Sequence, residues 1–166
     1  MVEARGGQAW LAWLGVSAAV VAADQLSKWA LIAWLRPGDE HVVTGFFSLV
    51  LTFNTGAAFS FLRDAGDWAR YFFSAVAIAA ACLIVWLLRR GGDAWYCAGL
   101  ALILGGALGN LWDRLTLGRV VDFLLFHWER WYYPAFNVAD SAITVGAALL
   151  ILDSFRRRRD GPAAVH

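Results

Sequence analysis

The stretch WLAWLGVSAAVVAADQLSKWALIAWL, residues 10–35, is apolar from end to end except where Asp24, Gln25, Ser27 and Lys28 interrupt it. A helix needs about 20 mostly apolar residues to cross the ~30 Å hydrocarbon core of a bilayer, and this run exceeds that. Its beginning also has the features of a cleavable leader: Arg5, an apolar core and the small residues Val21, Ala22 and Ala23. The apolar run resumes at Trp29 and continues to Leu35, however, so the segment is long enough to span rather than to be removed. A spacing of four puts Asp24 and Lys28 on one helix face, where they can neutralise each other or line a polar site in the outer half of the span.

Three further runs carry the same signal, at 68–88, 94–112 and 136–155. The whole chain agrees: only 16% of its 166 residues are charged, against about 25% in soluble domains. Ten Trp fit belts at membrane interfaces. The fold class expected is therefore a mainly α membrane protein, one integral domain over 1–166, with a four-transmembrane-helix bundle and longer loops at 36–67 and 113–135. Arg5, Arg89, Arg90 and the run Arg156 to Arg159 fall in the three short segments on one side, which the positive-inside rule assigns to the cytoplasm. Both termini are expected there, and the loops outside. Asp67 is a candidate N-cap for the second span.

With a net charge of +1 and no basic face interleaved with aromatics, nucleic acid is excluded as a partner class. Cys82 and Cys97 lie within apolar runs and read as small hydrophobes. In the first outer loop, HVVTGFFSLVLTF (41–53) is rich in β-branched and aromatic residues and reads as a short sheet near the bilayer surface, with a second strand-like piece at 119–126.

The polar residues that remain lie toward the outer side. NTGAAF (54–59) places Asn54 beside small residues, including Gly56, that let backbone approach closely. GGALGNLWDR (105–114) carries a Gly105/Gly109 packing face, then Asn110, Asp113 and Arg114 on one side of a helix end, as a salt-bridge network or as substrate contacts. FNVADS (136–141) sets Asn137 and Asp140 three apart, with Asp140 read as lying too far inside the helix for a simple N-cap. Asp122, in RVVDFLLF (119–126), sits among apolar neighbours. A carboxylate so placed must be paired, protonated or at work.

Asp122 and Asp140 come from different elements and could converge. At about 5 Å and an effective dielectric near 20, two ionised carboxylates repel by ~3 kcal/mol, so one should hold a proton. Such a pair can deprotonate a water while polarising a peptide carbonyl. Competing hydrolase signatures, His-Glu-x-x-His and Gly-x-Ser-x-Gly, do not occur.

Taken in order, DQLSK (24–28), NTGAAF (54–59), GGALGNLWDR (105–114), GRVVDF (118–123) and FNVADS (136–141) resemble the blocks of the bacterial lipoprotein signal peptidases, the type II signal peptidases. The resemblance spans nearly the whole chain. It implies a four-helix inner-membrane aspartic endopeptidase with a small periplasmic β-cradle, which removes signal peptides from prolipoproteins before a diacylglyceryl-modified Cys. It implies Asp122 and Asp140 as the catalytic pair. Asp24, Asn54, Gly56, Asn110, Asp113, Arg114 and Asn137 match positions that support the site or bind substrate, and Lys28 a recurrent motif position. No cofactor or metal is expected, and the partners expected are lipid-modified precursors and membrane lipid, with the enzyme acting as a monomer. His127 and Glu129, in the Trp-rich segment FHWERWYY, read as solvated loop residues. The alternatives are a small proton- or ion-coupled transporter, because intramembrane carboxylates also mark ion pathways, and an assembly factor whose polar residues only pack helices.

Overall fold

A computed structural model describes residues 9–55 and 67–159. Four helices, α1 (Ala9–Trp34), α2 (Asp67–Arg90), α3 (Ala94–Leu117) and α4 (Val138–Arg159), are accompanied by two strand pairs, β1 (Glu40–Thr44) with β2 (Phe47–Asn54) after α1, and β3 (Val120–Trp128) with β4 (Trp131–Tyr132) after α3. Each helix is long and apolar enough to cross a membrane. Gly56 to Phe59 of the NTGAAF block and the side chain of Asp67 lie outside the described residues.

The bundle is built around α3, whose apolar stretch is mostly buried while those of the other three are mostly exposed. Helices in lipid have no hydrophobic drive to associate, so close backbone approach matters, and small residues permit it. The expected Gly105/Gly109 face packs on α1: a Cβ at Gly105 would lie 2.8 Å from the Ser17 carbonyl oxygen, and one at Gly109 would lie 2.7 Å from Asp24 Oδ2. A second contact went unread in the sequence. Gly99 of α3 and Gly146 of α4 face each other, and a Cβ on either would meet the other's carbonyl oxygen at 2.8 or 2.6 Å.

Helix boundaries differ from the expected ones at two places that matter. Rather than ending at 112, α3 continues to Leu117 and stops where Gly118 takes φ 74°, the left-handed conformation that suits a C-terminal cap. Asp113 and Arg114 therefore lie within the helix, on the side of its last turns where their spacing put them. The fourth helix begins at Val138 and not at Phe136, because Phe136 is held by the sheet: its carbonyl accepts from Phe123 N and Leu124 N at 3.0 and 2.8 Å, and its N–H donates to Leu124 O at 3.0 Å.

The strands form one antiparallel sheet in the order β1-β2-β3-β4. The short sheet expected over 41–53 is a hairpin, with Gly45 in the turn joining β1 and β2. Between β2 and β3 the register slips by one residue, from Leu49↔Leu124 to Thr52↔Asp122. That bulge decides a side-chain direction. Since a one-residue slip reverses the faces of a strand, it puts Asn54 on the same face as Asp122, where an unbroken register would have turned it away. The Trp-rich segment forms a hairpin through Glu129, at φ 51°, into β4. His127 is thus not a solvated loop residue: it is half-buried, 3.1 Å from Ser48 Oγ and stacked on Tyr132, whereas Glu129 is exposed.

Candidate active site

Asp122 enters from β3 and Asp140 from the first turn of α4, and the anchoring of Phe136 on Leu124 brings those elements together. Two asparagine amides connect the carboxylates. Asn137 Nδ2 donates to Asp122 Oδ1 at 2.8 Å and to Asn110 Oδ1 at 3.2 Å, while Asn110 Nδ2 donates to Asp140 Oδ1 at 2.7 Å. Asn54 Nδ2, reaching across from β2, donates to Asp122 Oδ2 at 3.1 Å.

The position of Asp140 corrects the sequence reading. Asn137 is the residue before α4, its Oδ1 accepts from Asp140 N at 2.9 Å, and Asp140 Oδ2 in return accepts from Asn137 N at 3.3 Å. This reciprocal pair is a capping box, so Asp140 belongs to the helix cap that its depth was thought to exclude. The next free donor of that helix start, Ala139 N, is taken by Asp24 Oδ1 of α1 at 2.9 Å.

Beneath the pair lies a sealed ionic knot. Lys28 Nζ is 2.7 Å from Asp24 Oδ2 and 2.8 Å from Asp113 Oδ2, and it donates to Asn110 Oδ1 at 3.2 Å. Asp113 Oδ2 also accepts from Val121 N at 3.0 Å, fixing β3 one residue before Asp122. Asp24, Lys28 and Asp113 are almost wholly buried, so they line no entrance; they position the elements that carry the two carboxylates. Gln25, not among the expected site residues, completes the knot by donating to Asp113 Oδ1 at 2.8 Å, Asp24 Oδ2 at 3.1 Å and Gly109 O at 3.2 Å. Its place inside the polar interruption of the first span was the available signal.

The side chains of Asn110, Asp113 and Arg114 do not pair with one another directly; Lys28 links the first two. Asp113 pairs with Lys28, Asn110 turns to α4, and Arg114 lies over Phe73 of α2 at 5.3 Å, with Nη1 3.4 Å from Asn110 O.

Electrostatics set Asp122 apart from an ordinary surface carboxylate. Burial first, and then the charge of Asp140, push the Asp122 carboxyl up to about 7; the amides of Asn54 and Asn137 and the charge of Lys28 oppose that rise. Near neutral pH Asp122 is thus poised between acid and base. Asp140 is only partly buried and borders a cavity of about 330 Å³ lined by Tyr133, Phe136, Ser141, Thr144 and Val145. Thr144 and Val145 are exposed on α4, so this cavity opens toward the side of the bundle.

The chain is similar to known proteins along nearly its whole length. Residues 16–156 match the family model described as signal peptidase (SPase) II, Peptidase_A8. A lipoprotein signal peptidase of Paraburkholderia phytofirmans is 56% identical over 148 residues, 89% of this chain and 86% of that protein. One from Pseudomonas aeruginosa strain UCBPP-PA14 is 54% identical over 158 residues, covering 93% and 94%. A solved bacterial membrane enzyme superposes with a TM-score of 0.80 at 26% identity, over 93% of this chain and 94% of its own. A match of that extent, from the first span to the last, leaves the transporter reading without support, and the chain belongs to the signal peptidase II family.

Proposed function

We propose that this chain is an aspartic endopeptidase in which Asp122 and Asp140 act as one unit, removing signal peptides from prolipoproteins by cleaving before the diacylglyceryl-modified Cys. The observation that carries the reading is the link Asp122–Asn137–Asn110–Asp140, which holds two carboxyl groups from different elements beside a laterally open cavity. One carboxyl in its acid form hydrogen-bonds the scissile carbonyl and polarises it. The other, ionised, takes a proton from the attacking water. The raised value of Asp122 supports the acid role for that residue, and Asp140, reached from the cavity, suits the base. When the tetrahedral adduct collapses, the proton gained by the base passes to the leaving amine, returning the pair to one shared proton.

The substrate arrives as a membrane-embedded helix with lipid next to the cut. Asn54 and Arg114, the more exposed members of the site, are placed to meet it, while Asp24, Lys28, Asp113 and Asn137 hold the frame. The enzyme resides in the bacterial inner membrane with both termini cytoplasmic and its site at the periplasmic face. Reporter fusions should therefore signal periplasmic exposure near residues 60 and 127 and remain silent near 91 and 160. Exposure at 91 would invert the arrangement.

Purified protein is expected to cut a diacylglyceryl-modified precursor and leave the unmodified precursor intact, followed by the mobility of the cleaved product. EDTA should not alter the rate, since among the described residues no three His, Cys, Asp or Glu groups converge as metal ligands would. Loss with EDTA and recovery on adding zinc would refute the aspartic mechanism.

A further inference from the structure

At the end of the bundle away from Asp122 and Asp140, α1 and α2 meet each other sparsely, both resting on α3. Between them runs an apolar groove of about 600 Å³, walled by Leu14, Ala18 and Val21 of α1 and by Ala81 and Val85 of α2, with Leu104 of α3 as its floor. From Leu14 to Val21 the wall extends about 10 Å along the helix axis, most of the ~15 Å depth of one leaflet's hydrocarbon.

The mouth of this groove is charged. One turn beyond Leu14 on α1 stands Trp10, and one turn beyond Val85 on α2 stands Arg89, whose guanidinium carbon lies 5.5 Å from the Trp10 ring centroid. That contact bridges the two helices one turn beyond the residues that line the groove. Arg89 has no carboxylate partner among the described residues, in contrast to Arg157, which is paired with Asp93 and Asp153. The end of a helix favours a cation, which accounts for an arginine on α2 but not for an acyl-sized slot leading up to it.

We propose that this groove is a binding site for a phospholipid with an anionic headgroup, one acyl chain lying between α1 and α2 and the phosphate seated on Arg89. The two parts fit one molecule: a slot without polar demand, since Ser17 is already bonded to Ala101 O at 2.8 Å, and a cation lying against Trp10 one turn beyond it. The site is independent of the peptidase chemistry and lies on the opposite leaflet from it.

The chain supplies its own reporter. Cys82 is exposed and lines the groove, whereas Cys97 is buried. In delipidated full-length protein, palmitoyl-oleoyl phosphatidylglycerol should slow alkylation of Cys82 by N-ethylmaleimide, and inorganic phosphate should not. Native mass spectrometry should show the first phosphatidylglycerol binding about fivefold more tightly than phosphatidylcholine, the effect of one arginine near a charged headgroup. Arg89→Gln should erase that preference. Arg156→Gln, which removes an equal charge beside Trp95 and away from the groove, should keep it. An unchanged preference in Arg89→Gln, an equal loss in Arg156→Gln, or Cys82 alkylation indifferent to phosphatidylglycerol would each overturn the site.

Discussion

Asp140→Asn and Asp122→Asn are each expected to lower turnover of lipidated precursor by about three orders of magnitude or more, with the double variant no slower than either single one. Groups that act as one unit are non-additive, which is what the proposed mechanism requires of two carboxyls joined through Asn137 and Asn110. Single-turnover cleavage is the measurement, with precursor binding as the control. Near-normal turnover in Asp140→Asn would end the assignment. A stability effect should accompany the loss at Asp122. Its carboxyl titrates near 7 in the folded chain against 3.8 normally, so the folded state holds the extra proton between those values. Stability is therefore fully present below pH 3.8 and declines as pH rises toward 7. Asp122→Asn escapes this decline. It should melt above the parent at pH 8, by an amount on the order of a few kcal/mol, and should show no such advantage at pH 4. An inactive variant that is more stable than its parent is the expected sign of a residue kept for chemistry.

The second large effect concerns stability alone. Lys28→Met should remove roughly 3–5 kcal/mol, because it leaves Asp24 and Asp113 buried without their shared cation. Against a total stability of about 5–15 kcal/mol the protein should accumulate poorly and melt far lower. Adding Asp24→Asn and Asp113→Asn to Lys28→Met should recover part of the loss, since the amides keep acceptors for Ala139 N and Val121 N while removing the stranded charge. If Lys28→Met melts like the parent, the knot holds nothing together.

The four helices were legible because lipid selects for length and apolarity, and both can be counted along a chain. Asp122 and Asp140 stood out for the same reason: charge is conspicuous where everything around it avoids water. What stayed hidden was geometry without a compositional mark. The bulge that turns Asn54 toward Asp122 falls in Val50 and Leu51, with neither Gly nor Pro to announce it. The start of α4 was misplaced because Phe136 continues the apolar run, although Asn137 and Asp140 spell a capping box three apart and could have corrected it. Ending α3 at Trp112 followed hydropathy, whereas Gly118 marks the true stop. Asp113 meets Lys28 and Gln25 across the contact between α1 and α3, and spacing along one helix cannot reveal such pairs.

The cap on α4 has a consequence for how the protein is made. Synthesis proceeds from the N-terminus, so α1, α3 and β3 exist before α4 does. Until that last helix is seated, Ala139 has no Asp24, Asn137 cannot hold Asp122, and Asp140 is not yet beside its partner. The same bonds that tell the final helix where to begin also complete the candidate site, so it assembles only once the last helix is in place.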